Sequence, residues 1–263
     1  MGIYAVTGGS NGIGAKTISI LKQQGHTTIN IDWKRGDIEA DLSLPEGRQK
    51  AIDELRALCP DGLDGMILCA GIPGSRKDLR LILSVNYFGT IAMIKGTYAL
   101  LKQRKGAFVV LASSAISRED MKIYLVDLLN NNTDDEYRIL EVIDQMDKTD
   151  LSTGDLIYAV SKYALCRWMR RHSASYAANG VRINAVAPGN INAPMTATGS
   201  RNAADTLNAL PIPTKYGTQK QMDAEEIASV ITFLISDKAC GVNGIIMFVD
   251  GGTDALLNTE KVY

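Results

Sequence analysis

Histidine is scarce in this chain: among 263 residues only His26 and His172 occur, and the four cysteines, Cys59, Cys69, Cys166 and Cys240, show no Cys-x-x-Cys spacing. Structural zinc draws on clustered thiolates and imidazoles, so no metal is expected, and scattered cysteines do not suggest a disulfide framework. A basic excess is missing as well, since 28 Lys and Arg face 29 Asp and Glu for a formal net charge of −1. Nucleic acids and anionic membrane surfaces recruit proteins through a positive field that this balance does not supply. No apolar run approaches the roughly 18 residues of a membrane span. Ile3-Tyr4-Ala5-Val6 reads as a strand and not as the core of a signal peptide, which makes the cytoplasm the expected location. His172 lies among arginines on a helix, so the triad of a serine hydrolase is not indicated. Internal repeats, low-complexity tracts and linkers are lacking too, so residues 1–263 read as a single domain.

What is present is alternation. Short β-rich apolar runs alternate with longer helical stretches, the pattern of a parallel sheet covered on both faces. The spacing predicts strands at Ile3–Thr7, Thr27–Ile31, Ile38–Ala40, Gly65–Cys69, Ala107–Ala112, Val181–Val186 and Ile245–Val249. It predicts helices over Asn11–Gly25, Pro45–Leu58, Leu79–Lys102, Asp155–Asn179 and Asp223–Ser236. The fold class expected is α/β, a Rossmann-type doubly wound parallel sheet of about seven strands. Ser117–Gly154 breaks the alternation. Leu125, Leu128 and Leu129, then Ile139, Leu140 and Ile143, recur at helical spacing, so two short helices are expected there as an insertion after the fifth strand; a surface loop is the alternative.

The run Thr7-Gly8-Gly9-Ser10-Asn11-Gly12-Ile13-Gly14 follows the first strand and opens the first helix. Glycines allow the tight turn and a close approach to a pyrophosphate, whose charge the helix N-terminus stabilises. Asp32 ends the second strand, 18 residues after Gly14. A carboxylate there accepts hydrogen bonds from a ribose diol and repels a 2′-phosphate, which favours NAD(H) as cofactor. Lys34 and Arg35, close behind, are the pair that would tolerate such a phosphate. Asp41-Leu42 follows the short third strand, where a carboxylate can receive the adenine amine.

At the other end, Tyr158 and Lys162 lie four residues apart, hence on one helix face. A phenol with a pKa near 10 is a poor acid–base group at neutral pH, and an ammonium beside it favours the phenolate. The Ser114 hydroxyl, at the end of the fifth strand, is placed to hold a substrate oxygen.

These motifs together resemble the short-chain dehydrogenase/reductase family over nearly the whole chain. The similarity extends to Cys69-Ala70-Gly71 where the family usually has Asn-Ala-Gly, and to Asn86, Ser113-Ser114, Tyr158-Ala159-Val160-Ser161-Lys162, Pro188-Gly189 and Asp250-Gly251-Gly252. The resemblance implies that Ser114, Tyr158 and Lys162 are the catalytic triad, with Asn86 completing a tetrad through a proton-relay water; Ser113 is the alternative serine. It also implies that Cys69, Ala70, Gly71, Pro188 and Gly189 line the cofactor. Ala193 stands where the family often has a threonine for the nicotinamide amide, so Ile191 backbone groups or Thr196 are expected to hold the carboxamide instead.

Within the family the chain is most similar to the bacterial 3α-hydroxysteroid dehydrogenase/carbonyl reductase branch, through Ile31-Asp32, Ala40-Asp41-Leu42-Ser43, Ser84-Val85-Asn86-Tyr87-Phe88-Gly89 and Asp250-Gly251-Gly252-Thr253-Asp254-Ala255. This implies NAD-linked interconversion of a secondary alcohol and a ketone, with a hydroxysteroid or bile-acid hydroxyl favoured at the 3α position. Another apolar cyclic or aromatic secondary alcohol is the second reading, and a non-catalytic NAD(H) sensor the third. A substrate loop is expected over about 190–217, where Ala193, Ala197, Gly199 and Ala203 leave room for a bulky ligand and Met195, Leu207, Leu210 and Ile212 supply apolar surface. The expected partner is thus a small apolar alcohol or ketone. Ser117–Gly154 enters just before a helix through which family members often pair. A homodimer is therefore expected to form elsewhere, near Asp223–Ser236 and the final strand.

Overall fold

The computed structural model describes residues 1–76, 78–146, 151–192, 215–217 and 221–262. Seven strands, β1 Ile3–Thr7, β2 Thr27–Asp32, β3 Ile38–Glu39, β4 Gly65–Leu68, β5 Ala107–Leu111, β6 Arg182–Pro188 and β7 Ile246–Val249, form one sheet. Their order is β3-β2-β1-β4-β5-β6-β7, and every neighbouring pair is parallel. Strands buried on both faces read as continuous apolar runs. Gly65-Met66-Ile67-Leu68 and Ala107-Phe108-Val109-Val110 are of this kind, and all eight residues are buried. The order in which the chain adds strands reverses between β1 and β4, so a crevice opens at the carboxyl ends of these strands, the usual ligand position in such sheets.

Helices α1 Gly12–Gln23 and α8 Ala224–Ile235 cover one face; Leu21, Ile227, Ile231 and Leu234 pack there against Val6, Ile67 and Val109. Asp223 and Glu226 form a reciprocal capping box at the α8 N-terminus, where such a cap stabilises by about 1 kcal/mol. The other face carries α2 Pro45–Leu58, α4 Thr90–Arg104 and α7 Leu151–Ala177, whose Leu55, Ile94 and Leu165 meet Met66, Phe108 and Val110.

Two departures from the expected elements matter for the site. The helix expected over Leu79–Lys102 is interrupted: α3 Leu79–Leu83 passes into a π-helical turn, Ser84–Gly89, before α4. Arg48 Nη2 donates to the Ser84 carbonyl (2.9 Å), and a Cβ on Gly89 would lie 2.7 Å from the Leu42 carbonyl. The widened turn lets the chain press this close to the loop after β3. One extra residue per turn leaves apolar periodicity almost unchanged, so the pattern did not betray it. Strand β6, in turn, runs on to Pro188, two residues past the expected end.

After β5 the chain forms a 3₁₀ turn at Ser114–Ser117 and then α5 Ile123–Asn131 and α6 Glu136–Asp144. Leu125, Leu129, Ile139, Leu140 and Ile143 are buried, and Leu128 packs against the core. Helix α5 lies on α7 and α6 on α3. Asn130 Nδ2 donates to the Ala164 carbonyl (2.9 Å), and the Tyr87 hydroxyl donates to that of Leu129 (3.0 Å).

Candidate active site

The glycine loop is shaped by steric need. Gly8 and Gly12 have φ of 70° and 51°, in the left-handed region that side chains disfavour. A Cβ on Gly14 would stand 2.3 Å from the Gly8 carbonyl oxygen, so the first turn of α1 closes on the loop only without one. Asn11 caps α1 in extended conformation and makes no side-chain cap bond, which leaves the N–H groups of the first turn, from Gly12, Ile13 and Gly14, without a side-chain acceptor. That is the donor array a pyrophosphate requires.

Asp32 closes β2 beside this loop. Its Oδ2 accepts from the Ser10 amide (3.0 Å) and its Oδ1 from the Trp33 amide (2.8 Å). A residue missed in the sequence supports the pair. Asn30 Nδ2 donates to Ser10 Oγ (3.0 Å), and the Asn30 side chain lies where a Cβ on Gly9 would fall. The backbone of Lys34 and Arg35 folds over Ser10, whose hydroxyl is 3.2 Å from both carbonyl oxygens. The only signal for Asn30 was a polar residue among the β-branched positions of β2.

At the adenine edge, the expected partners divide. Asp41 is exposed, and its Oδ1 accepts from the amide (2.9 Å) and hydroxyl (2.7 Å) of Ser43, so this carboxylate starts a turn. Leu42 is buried, and its carbonyl accepts from Arg48 Nε (2.8 Å). Arg48 is a buried cation absent from the sequence reading. It also contacts the Ser43 carbonyl and ion-pairs with Glu136 of α6, whose Oε1 accepts from Ser84 Oγ (2.7 Å). One guanidinium thereby joins the loop after β3, the π turn and α6.

At the reactive end, α7 carries Tyr158 and Lys162 toward the ends of β4 and β5. Lys162 is buried and donates from Nζ to the Leu111 carbonyl (2.8 Å). Burial lowers its amine from 10.5 to about 8, against smaller opposing effects of the Cys166 and Cys69 thiols. Burial raises both thiols to about 12, which keeps them protonated. Cys69 therefore offers a neutral, buried thiol where the family usually has an asparagine amide.

Burial also raises the Tyr158 phenol; a hydrogen bond to the Ser113 side chain lowers it, and the Asp155 carboxylate raises it further. Of the two adjacent serines, Ser113 is the one whose side chain hydrogen-bonds to Tyr158 here. Strand β5 ends at Leu111, Ser113 is extended with φ −166°, and its Oγ accepts from the Ala115 amide (3.2 Å), while Ser114 already begins the 3₁₀ turn. A serine doublet in sequence does not say which of the two meets the helix.

Asn86 lies fully buried in the π turn, and both ends of its amide engage the loop after β4: Oδ1 accepts from the Ile72 amide (2.8 Å) and Nδ2 donates to its carbonyl (3.0 Å). A Cβ on Gly71 would approach Asn86 Oδ1 to 3.2 Å and Lys162 Nζ to 3.5 Å, so Ala70 and Gly71 pass between the two. Pro188 ends β6, and Gly189 donates its amide to the Val249 carbonyl (3.0 Å). A Cβ on Gly189 would meet Asp250 Cα at 2.6 Å, which excludes a side chain there. Asp250 accepts from the amides of Gly252 (2.9 Å) and Asp254 (2.7 Å), and Asp254 accepts from Ser117 Oγ (2.5 Å). The closing motif thus buttresses the serine turn. Ile191 forms a bridge with Met222, while Thr196 and most of the 190–217 loop lie outside the described residues. Among the described residues, no group of three or more His, Cys, Asp or Glu could hold a metal ion.

A doubly wound sheet with a glycine-turn crevice, and a Ser–Tyr–Lys cluster beside it, defines a dinucleotide-dependent oxidoreductase acting on CH–OH groups. The family model described as enoyl-(acyl carrier protein) reductase matches residues 143–254. The chain is 32% identical over 261 residues to the 3-alpha-hydroxysteroid dehydrogenase/carbonyl reductase of Comamonas testosteroni, covering 99% of this chain and 100% of that protein. It is 30% identical over 261 residues to a coniferyl-alcohol dehydrogenase of a Pseudomonas species, covering 94% of each. The crystal structure of the 3-alpha-hydroxysteroid dehydrogenase from Pseudomonas sp. B-0831 complexed with NADH superposes with a TM-score of 0.88 at 33% identity, over 99% of this chain and 100% of that one. The chain belongs to the short-chain dehydrogenase/reductase family.

Proposed function

We propose that the protein is an NAD(H)-dependent dehydrogenase that interconverts a secondary alcohol and a ketone on an apolar ring substrate, with the 3α-hydroxyl of a hydroxysteroid or bile acid favoured. The meeting of Tyr158, Ser113 and Lys162 at the ends of β4 and β5 carries the chemical part of this reading. The residues present fit a dinucleotide: the first-turn amides of α1 lack a side-chain cap, Gly8 and Gly12 hold the tight turn, and Asp32 puts negative charge where a 2′-phosphate would sit. Gly8, Ser10, Asn11, Gly12, Ile13 and Gly14 would hold the pyrophosphate, Asp32 the adenosine ribose, and Leu42 and Ala70 the adenine side. When bound, NAD(H) supplies or accepts the hydride at the substrate carbon.

The chain's own part is to orient the oxygen and to move a proton. Burial holds the Tyr158 phenol protonated, so it is ready to donate to a ketone oxygen; in the alcohol direction the same oxygen takes the proton back. Ser113 fixes the direction of that oxygen. The Lys162 ammonium stabilises the phenolate and offers donors to a ribose. The Asn86 amide is spent on Ile72, which leaves its backbone carbonyl, shared with Thr90 Oγ1 (3.1 Å), for a relay water.

The steroid part of the reading rests on the two 3-alpha-hydroxysteroid dehydrogenases just described. The coniferyl-alcohol dehydrogenase relative supports a second reading, an aromatic or other cyclic alcohol on the same machinery. The test is kcat/KM with NAD across hydroxysteroids, bile acids, monocyclic alcohols and sugars. Efficient oxidation of steroids or bile acids supports the first reading; failure on all of them, with strong activity on a small polar alcohol, rejects the substrate class and leaves the chemistry standing.

A homodimer built through α8 and β7 completes the proposal. In support, α5 covers part of α7, whereas the edge strand β7 is only half-buried and Phe233 and Ile245 are 42% and 38% exposed. Sedimentation of wild type against Phe233→Asp checks it. A cytoplasmic location fits the four free cysteines, and among the described residues no helix is long and apolar enough to cross a membrane.

A further inference from the structure

Asp155 precedes Tyr158 by three residues on α7, so the two share the helix face that also carries Lys162. The neighbours of Asp155 come from two loops at the carboxyl ends of strands. A Cβ on Gly74, in the loop after β4, would fall 2.6 Å from Asp155 Oδ1 and 2.6 Å from its Cα. Arg118, at the end of the serine turn after β5, lies near enough for its charge to act on the carboxyl. Arg118 itself is held elsewhere: Nε and Nη2 donate to the two carboxylate oxygens of Asp120, each at 2.7 Å. Asp155 is half-buried, and burial raises its carboxyl above the usual range. Among the described residues its carboxylate receives no hydrogen bond. A half-buried carboxylate in that condition is costly unless a donor meets it.

We propose that Asp155 is a specificity-determining residue. From one helical turn beyond Tyr158, its carboxylate accepts a hydrogen bond from a second hydroxyl on the ring body of the substrate, while the reacting oxygen lies at Tyr158 and Ser113. This deepens the function proposed above and rests on it. Preferred substrates are ring alcohols that carry a further hydroxyl and no anionic group at that position. Asp120 serves the selectivity indirectly, because it keeps the Arg118 guanidinium from neutralising Asp155.

The experiment measures the ratio of kcat/KM for pairs of hydroxysteroids that differ by one additional ring hydroxyl, with the hydroxyl placed at several ring positions. Wild type should favour one dihydroxy partner. Asp155→Asn should cut that preference about ten-fold, the equivalent of about 1.4 kcal/mol. Asp120→Asn should cut it in the same direction by a smaller factor, since it releases Arg118 toward Asp155 and leaves α7 untouched. A purely structural Asp155 would lower the melting temperature and leave the ratio where it was. Turnover with an unchanged ratio in Asp155→Asn overturns the assignment and spares the dehydrogenase reading. Absence of turnover with every alcohol overturns both.

Discussion

The two ends of the crevice are built from different materials. At the proposed cofactor end the groups on offer are chiefly backbone, glycine turns and helix amides, with Asp32 accepting from the Ser10 amide, Asn30 donating to the Ser10 hydroxyl and Arg48 donating to the Leu42 carbonyl. At the reactive end they come from side chains whose pKa values burial has moved from their ordinary range, with Tyr158 raised and Lys162 lowered. A backbone cradle tolerates the loss of one side chain because the donors remain. A side-chain cluster has no such redundancy, since each group performs a step the others cannot. Substitutions at the reactive end should therefore cost far more activity than those at the cofactor end.

The largest expected effect lies at Tyr158. Tyr158→Phe removes the proton donor alone, so turnover should fall by at least about a thousand-fold while NADH binding, read by fluorescence, stays near wild type. Retention of more than roughly a tenth of wild-type turnover would rule out the role. Next comes the serine pair. Ser113→Ala should lower kcat by about a hundred-fold, and Ser114→Ala should change it little; the reverse order would make Ser114 the catalytic serine that the family resemblance implies.

Lys162 tests the contrast through stability. Its folded-state pKa, about 8, lies below the ordinary 10.5, so the unfolded chain binds that proton more tightly. The charged amine thus burdens the fold at neutral pH, and the burden is relieved as pH rises from about 8 to 10.5. Lys162→Met should be more stable than wild type at pH 7 by about 2 kcal/mol once the lost bond to Leu111 is counted, and less active. The stability difference should shrink across that window in urea titrations. A constant difference from pH 7 to 10 would mean that burial of the charge is not its source.

The smallest effect is expected at the cofactor end. Asp32→Ala should raise NADP efficiency about ten-fold, close to 1.4 kcal/mol, and weaken NAD use only modestly because the amides of the first α1 turn remain. Wild type that already prefers NADP ten-fold would overturn the NAD reading.

Much of this was legible before any coordinate. Strands, helices and their alternation follow from apolar period, and α2 and α8 match their expected bounds to within a residue because a Pro start and an Asp cap mark them. Tyr158 and Lys162 were legible because helical geometry alone puts positions i and i+4 on one face. Glycines that must adopt positive φ announced the turn after β1 in the same way. What stayed hidden depends on partners far apart in the chain. Nothing local in the sequence marks Arg48, and its role comes from the convergence of Leu42, Ser84 and Glu136 on it.

By itself, then, the sequence determined the α/β class, the glycine turn, the acidic end of β2 and the shared face of Tyr158 and Lys162, since each rests on local geometry or on a period read within one element. Tertiary structure alone decided that Ser113 meets Tyr158, that a π turn carries Asn86 against Ile72, and that Asp155 stands between two loops with no donor among the described residues. Those outcomes depend on where one element ends against another, and on which charges burial leaves unmatched. Such long-range packing leaves no periodic trace along a single chain.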